Sequence, residues 1–128
     1  MLVSQLAGVS GYRVGGTITV STRTDFVGGQ IVQVPVLLFS NIQVPRAPGP
    51  FLYLTRRAGV PRNLQNDDLR IPINAVADGS FTVEGSFEQD FTADVDLNEF
   101  ANGSWIVWCD PFGILLGGGS ISVGAQSF

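Results

Sequence analysis

The stretch at 104–112, Ser-Trp-Ile-Val-Trp-Cys-Asp-Pro-Phe, constrains the fold more than any other part of the chain. It holds both tryptophans, the only cysteine and an unbroken apolar run at 105–109. The run opens after Asn102 and Gly103 and closes at Asp110 and Pro111. A short apolar run between turn residues reads as a central strand buried on both faces. A helix is disfavoured because the run is short and Pro111 would end it. Alternation places Trp105, Val107 and Cys109 on one face and Ile106, Trp108 and Asp110 on the other. Two indoles on one strand need a large buried area, so neighbouring strands are expected to pack around it.

The rest of the chain supplies such strands. With 45% hydrophobic and 14% charged residues in 128, the sequence fits one folded domain rather than a disordered chain. Val, Ile, Thr and Phe occur in short period-two runs between Gly and Pro, which is the pattern of an all-β protein. Residues 12–20 read as a half-exposed strand, with a bulge or close backbone contact at Gly15 and Gly16. Residues 21–29 read as a turn region. Residues 30–39 form a second strand, in which Pro35 marks an edge, a bulge or a break. Pro45, Pro48 and Pro50 fall in a connection, and 51–55 is a short strand. Further strands are expected at 69–73, interrupted by Pro72, at 81–83 after the turn signal Asp78-Gly79, and at 86–93. Residues 94–100 are expected to form a single helical turn capped by Asp94 or Asp96. Gly117, Gly118 and Gly119 read as a flexible turn or bulge. The expected fold is a single-domain β-sandwich or flattened barrel of about eight short strands, with at most a turn or two of helix. Residues 1–10 are expected to be an N-terminal lead-in to a β domain at 11–128.

Two absences narrow the chemistry. The seven basic residues are all arginine and there is no histidine. Without histidine there is no Ser-His or Cys-His pair and no imidazole metal ligand. Without lysine there is no Schiff base or phosphate-loop lysine. A single cysteine excludes an internal disulfide, a Cys-x-x-Cys pair and a structural zinc site. The net charge of −4 argues against a nucleic-acid groove. Residues 1–9 carry no positive n-region and too short an apolar run for a signal peptide. No transmembrane segment is expected, and the chain is expected to be soluble, as a mature or excised part of a longer exported protein would be.

The candidate sites each have a structural alternative. Cys109 is either a redox thiol, with Trp108 and Phe112 packed on its sulfur, or a small buried hydrophobe. Reactivity requires a stabilised thiolate, and only an arginine brought by the fold could supply the positive charge. Haem ligation would fall to Cys109, Tyr12 or Tyr53, and no cofactor is expected. Asp90, Asp94, Asp96 and Glu99 could gather around calcium, or serve as caps and surface. Arg56, Arg57 and Arg62 are an anion contact or a solvated loop. Asn102-Gly103-Ser104 is an Asn-Gly turn and also a glycosylation sequon.

The segment Phe91-Thr-Ala-Asp-Val-Asp-Leu-Asn-Glu-Phe100, followed by Trp105-Ile-Val-Trp-Cys-Asp-Pro-Phe112, resembles the DM13 domain family. Members run Pro-x-Asp-Val-Asp-Leu-x-x-Tyr and then a hydrophobic strand ending Ile-Trp-Cys-x-x-Phe. The stretches at 11–20 and 49–55 resemble the family's opening Gly-Thr strand and its Gly-Pro-Asp-Leu-Tyr segment, although Phe51 stands in place of the aspartate. The resemblance covers 11–123. It implies an extracellular or periplasmic domain, at a cell surface or beside DOMON or cytochrome-type domains, with a cysteine proposed for redox chemistry. Two functions follow as expectations. One is a non-catalytic binding or assembly module with a protein partner or self-assembly. The other is a redox or electron-transfer accessory domain that uses Cys109.

Overall fold

The computed structural model describes residues 2–44, 50–73, 84–92 and 95–123. These residues form two antiparallel five-stranded sheets packed as a sandwich, not a closed barrel. The strands are β1 (Leu2–Gln5), β2 (Ala7–Gly8), β3 (Gly15–Val27), β4 (Gln30–Gln43), β5 (Pro50–Thr55), β6 (Leu69–Ile71), β7 (Glu84–Asp90), β8 (Ser104–Cys109), β9 (Ile114–Ser120) and β10 (Ser122–Val123). Two 3-10 turns, η1 (Leu97–Phe100) and η2 (Asp110–Phe112), are the helical elements among the described residues. One sheet runs β10-β1-β3-β4-β7 and the other β2-β9-β8-β5-β6. The expected strand at 81–83 and the Asp78-Gly79 turn lie outside the described residues, as do Pro45 and Pro48.

β8 is central in its sheet, between β5 and β9, and all six of its residues are buried. Trp105, Val107 and Cys109 join Ile18, Leu37, Phe39, Leu52 and Leu54 in the core between the sheets. Phe39 stacks on its cross-strand neighbour Phe87 with ring centroids 4.7 Å apart. Ile106 and Trp108 face the other way and are buried as well. The loop after β5 folds back there, and Val60 lies over Gly118, the cross-strand partner of Ile106.

Three expectations are corrected. The first ten residues are not a lead-in. β1 pairs with β3 in one sheet, β2 pairs with β9 in the other, and buried Leu6 sits between them. The glycines at 117–119 are not a turn but lie within β9, whose register against β8 shifts beside Gly117, so only the bulge half of that expectation holds. Added side chains there would meet Ala7 and Val14 at Gly117, Val60 and the Trp105 backbone at Gly118, and Ser4 and the Gln5 backbone at Gly119. The bare backbone is what lets the N-terminal strands pack on this strand.

The third correction concerns 21–29, which is mostly strand rather than turn. β3 continues to Val27 and pairs with β4 residue by residue from Thr17↔Ser40 to Val27↔Gln30. The turn is confined to Gly28 and Gly29, with φ of 59° and 81°. Positive φ at both central residues is the geometry of a tight type I′ hairpin, which suits the right-handed twist of the ribbon. The bulge expected at Gly15 and Gly16 is present, with a register shift between Gly15 and Thr17. β1 covers β3 only as far as Val20, and β7 covers β4 only from Val36 onward. Beyond these points the hairpin continues as a two-stranded ribbon for about 20 Å, at 3.4 Å per residue.

Candidate functional site

Cys109, the residue favoured for redox chemistry, is 2% exposed and belongs to the core between the sheets. Trp108 lies on the opposite face of β8, and Phe112 is exposed on η2. Alternation along the strand thus separates Trp108 from the sulfur. Arg70, at 3.8 Å from the centroid of the Phe51 ring, sits on β6 across from Tyr53. Tyr53 is opposite Ile106, so this arginine is on the sheet face turned away from Cys109. Tyr53 donates to Asp110 Oδ1 at 3.4 Å. Burial and, next, the Asp110 charge push the Tyr53 hydroxyl above its ordinary pKa, against the opposing pull of Arg70.

Asp96, Glu99, Arg56 and Arg57 have structural partners. Asp96 caps η1, its carboxylate accepting from the Asn98 amide at 2.9 Å. Glu99 accepts from Arg56 at 3.0 Å, and the same guanidinium lies 4.7 Å from the Phe100 ring centroid. Asp94 lies outside the described residues. Among the described residues no three metal-ligating side chains gather. Arg57 donates to Asp68, to Thr55 Oγ1 and to the Asn63 carbonyl. Arg57 therefore clamps the loop after β5 to its own Asp68, and Arg56 ties it to η1 through Glu99, while Arg62 is exposed. Asn102 is exposed in the turn closed by the Gly103 amide on the Phe100 carbonyl, and Tyr12 is exposed in the loop before β3.

The feature that sequence reasoning missed is the end of the ribbon. Phe26, Val27 and Ile31 are 75%, 62% and 65% exposed. Phe26 and Ile31 are directly opposite each other, so their side chains share one face. Ile18↔Phe39 and Val20↔Leu37 begin the same series of pairs, and Ile18, Leu37 and Phe39 are in the core. The Phe26–Ile31 face is therefore the core face of the sheet, carried out past the end of the sandwich. Where the ribbon leaves the body, an open cavity of about 560 Å³ is lined by Leu2, Val20, Thr22, Pro35, Leu97 and Val123, among others.

The opposite face of the ribbon is charged. Arg23 donates to Asp90 at 2.7 and 3.0 Å and to Asp25 at 3.1 and 3.2 Å. The hydrogen bond from Arg23 holds the Asp90 carboxyl below its usual pKa. The signal for this arm was present in the sequence. Gly28-Gly29 sits between alternating segments, a pattern that specifies a two-residue hairpin.

No family model, curated protein or solved structure matches the chain.

Proposed function

We propose that this chain is a non-catalytic, extracytoplasmic β-sandwich module whose work is binding or assembly, and that the β3–β4 ribbon is the surface it uses. One observation carries the reading. Three large apolar side chains, Phe26, Val27 and Ile31, are presented to solvent at the end of an arm. Their exposure costs solubility and adds nothing to the core, which is the mark of a surface made to be covered. The resemblance of 91–112 to the DM13 family supports the extracellular or periplasmic placement.

A redox accessory role for Cys109 is the competing reading, and it also draws on that resemblance. The burial of Cys109 weighs against it, because thiol exchange and peroxide oxidation need the sulfur within reach. The two readings are separated by the rate of alkylation of Cys109 in the native and the unfolded chain. The binding reading expects the native thiol to be silent until the protein unfolds. Native alkylation near the unfolded rate, together with peroxide oxidation of the folded chain, would transfer the proposal to the redox reading.

A further inference from the structure

We propose that the partner of the ribbon is a lipid bilayer surface, into which the charge-free end of the hairpin dips as far as the boundary between headgroups and acyl chains. The inference rests on the binding reading and names its partner.

The exposed apolar side chains are confined to the last two residue pairs of the ribbon. Phe26 and Ile31 share one face, and Val27, paired with Gln30, is on the other by alternation. Gly28 and Gly29 close the hairpin without side chains. From Phe26 through Gln43 the chain carries no charged residue. Further back a polar collar begins on both faces. On the Phe26 face Gln33 donates to Thr24 Oγ1 at 2.9 Å. On the Val27 face stands the Arg23–Asp25 pair.

These features select among occupants. A protein lying against a ribbon covers one face, whereas here both faces are apolar at the same level. The three side chains offer on the order of 300–400 Å² of apolar surface. Each partner in a stable protein complex contributes about 800 Å². A strand added along either edge would lie beside the ribbon and leave both faces bare. A medium that surrounds the end of the arm covers both at once. Phe26 is two residues from Gly28, about 7 Å at 3.4 Å per residue. That matches the roughly 5–10 Å reached by segments bound at a membrane interface. The collar then sits among hydrated headgroups, where water satisfies the outward backbone groups that hydrocarbon could not. Charge selects the lipid. Arg23 is the single basic residue of the ribbon and is held by Asp25 and Asp90, and the whole chain has a net charge of −4. Nothing here attracts anionic headgroups, so the surface is zwitterionic.

The test is flotation of the whole chain with phosphatidylcholine vesicles, with the fold of each variant checked by far-UV spectrum and melting temperature. The parent is expected to float with the vesicles, equally well in high salt and no better when anionic lipid is added. Phe26→Ser is expected to lower the partition coefficient by roughly tenfold. Phe112→Ser removes a comparably exposed ring at the end of β8 away from η1 and is expected to leave partition unchanged. Phe26→Trp gives a second readout, because Trp105 and Trp108 are both buried. Its added emission is expected to shift to the blue on vesicles, and to be quenched better by labels in the upper acyl chains than by labels at the chain ends. A parent that stays out of the vesicle fraction overturns the proposal. So does binding that is lost in high salt, an equal loss in Phe112→Ser, or self-association without lipid that Phe26→Ser abolishes. In each of these cases a silent native Cys109 leaves the binding reading standing, with a protein on the ribbon, whereas a reactive one removes that reading too.

Discussion

The hydroxyl of Ser104 donates to the Arg57 carbonyl at 2.9 Å and accepts from the Val60 amide at 3.1 Å. Through this one fully buried side chain the first residue of β8 holds the loop that covers the outer face of its own sheet. Val60 has φ of 51°, a conformation that β-branched residues rarely adopt, so the loop depends on such anchors to keep its path. Ser104→Ala should cost about 1–3 kcal/mol, since it leaves a part-buried amide and a carbonyl without this partner. Chemical denaturation of the variant checks this, and a midpoint equal to the parent's would show that the loop holds itself.

Gly118→Ala should be more damaging. Its methyl group would collide with the Trp105 carbonyl and with Val60 from above. The expected loss is at least about 3 kcal/mol, the upper range for overpacking, because backbone must move. Gly15 has open space at its Cβ position, and Gly15→Ala should stay within about 0.5 kcal/mol of the parent. Paired thermal melts of the two variants give the comparison.

Trp105 is the largest fully buried side chain. Trp105→Ala should cost about 3–5 kcal/mol, a large part of the stability of a domain this size. A variant that melts with the parent would remove β8 from the centre of the fold.

Ser in place of Phe26 and Ile31 should leave stability within about 0.5 kcal/mol of the parent, because neither side chain is buried in the single chain. Urea denaturation at low protein concentration is the measurement. A large loss would mean that the ribbon end packs on the body.

The Tyr53 hydroxyl predicts a pH dependence. Its folded pKa lies above the unfolded value of about 10. Between the two, the folded state binds more protons than the unfolded state, so stability falls as pH rises. Below that window the contribution is fully present. Stability measured by urea unfolding at increasing alkaline pH should decline through it, and the decline should be smaller in Tyr53→Phe.

The sequence made the local features legible. The alternation of Trp105 and Val107 against Ile106 and Trp108 gave the two faces of the central strand, and Asp96 announced η1 through its capping side chain. Gly15 and Gly16 marked a real bulge. What escaped was set by contacts distant in the chain. Arg23 meets Asp90 across 67 positions and Arg56 meets Glu99 across 43, and no local pattern encodes either pair. The glycines at 117–119 were misread because a strand without side chains has no periodicity to detect. Its reason lies in Val14, Val60 and the N-terminal strands that press on it. Cys109 was correctly placed on a buried strand face, but its accessibility depends on how the two sheets close.

Pro35 stands where β7 stops covering β4. Its carbonyl already receives the Phe91 amide, and it has no amide of its own to offer on that side. A strand approaching the ribbon there finds an acceptor already occupied and no donor at all. The base of the arm is thus guarded on its β7 side by the one residue type that cannot recruit another strand.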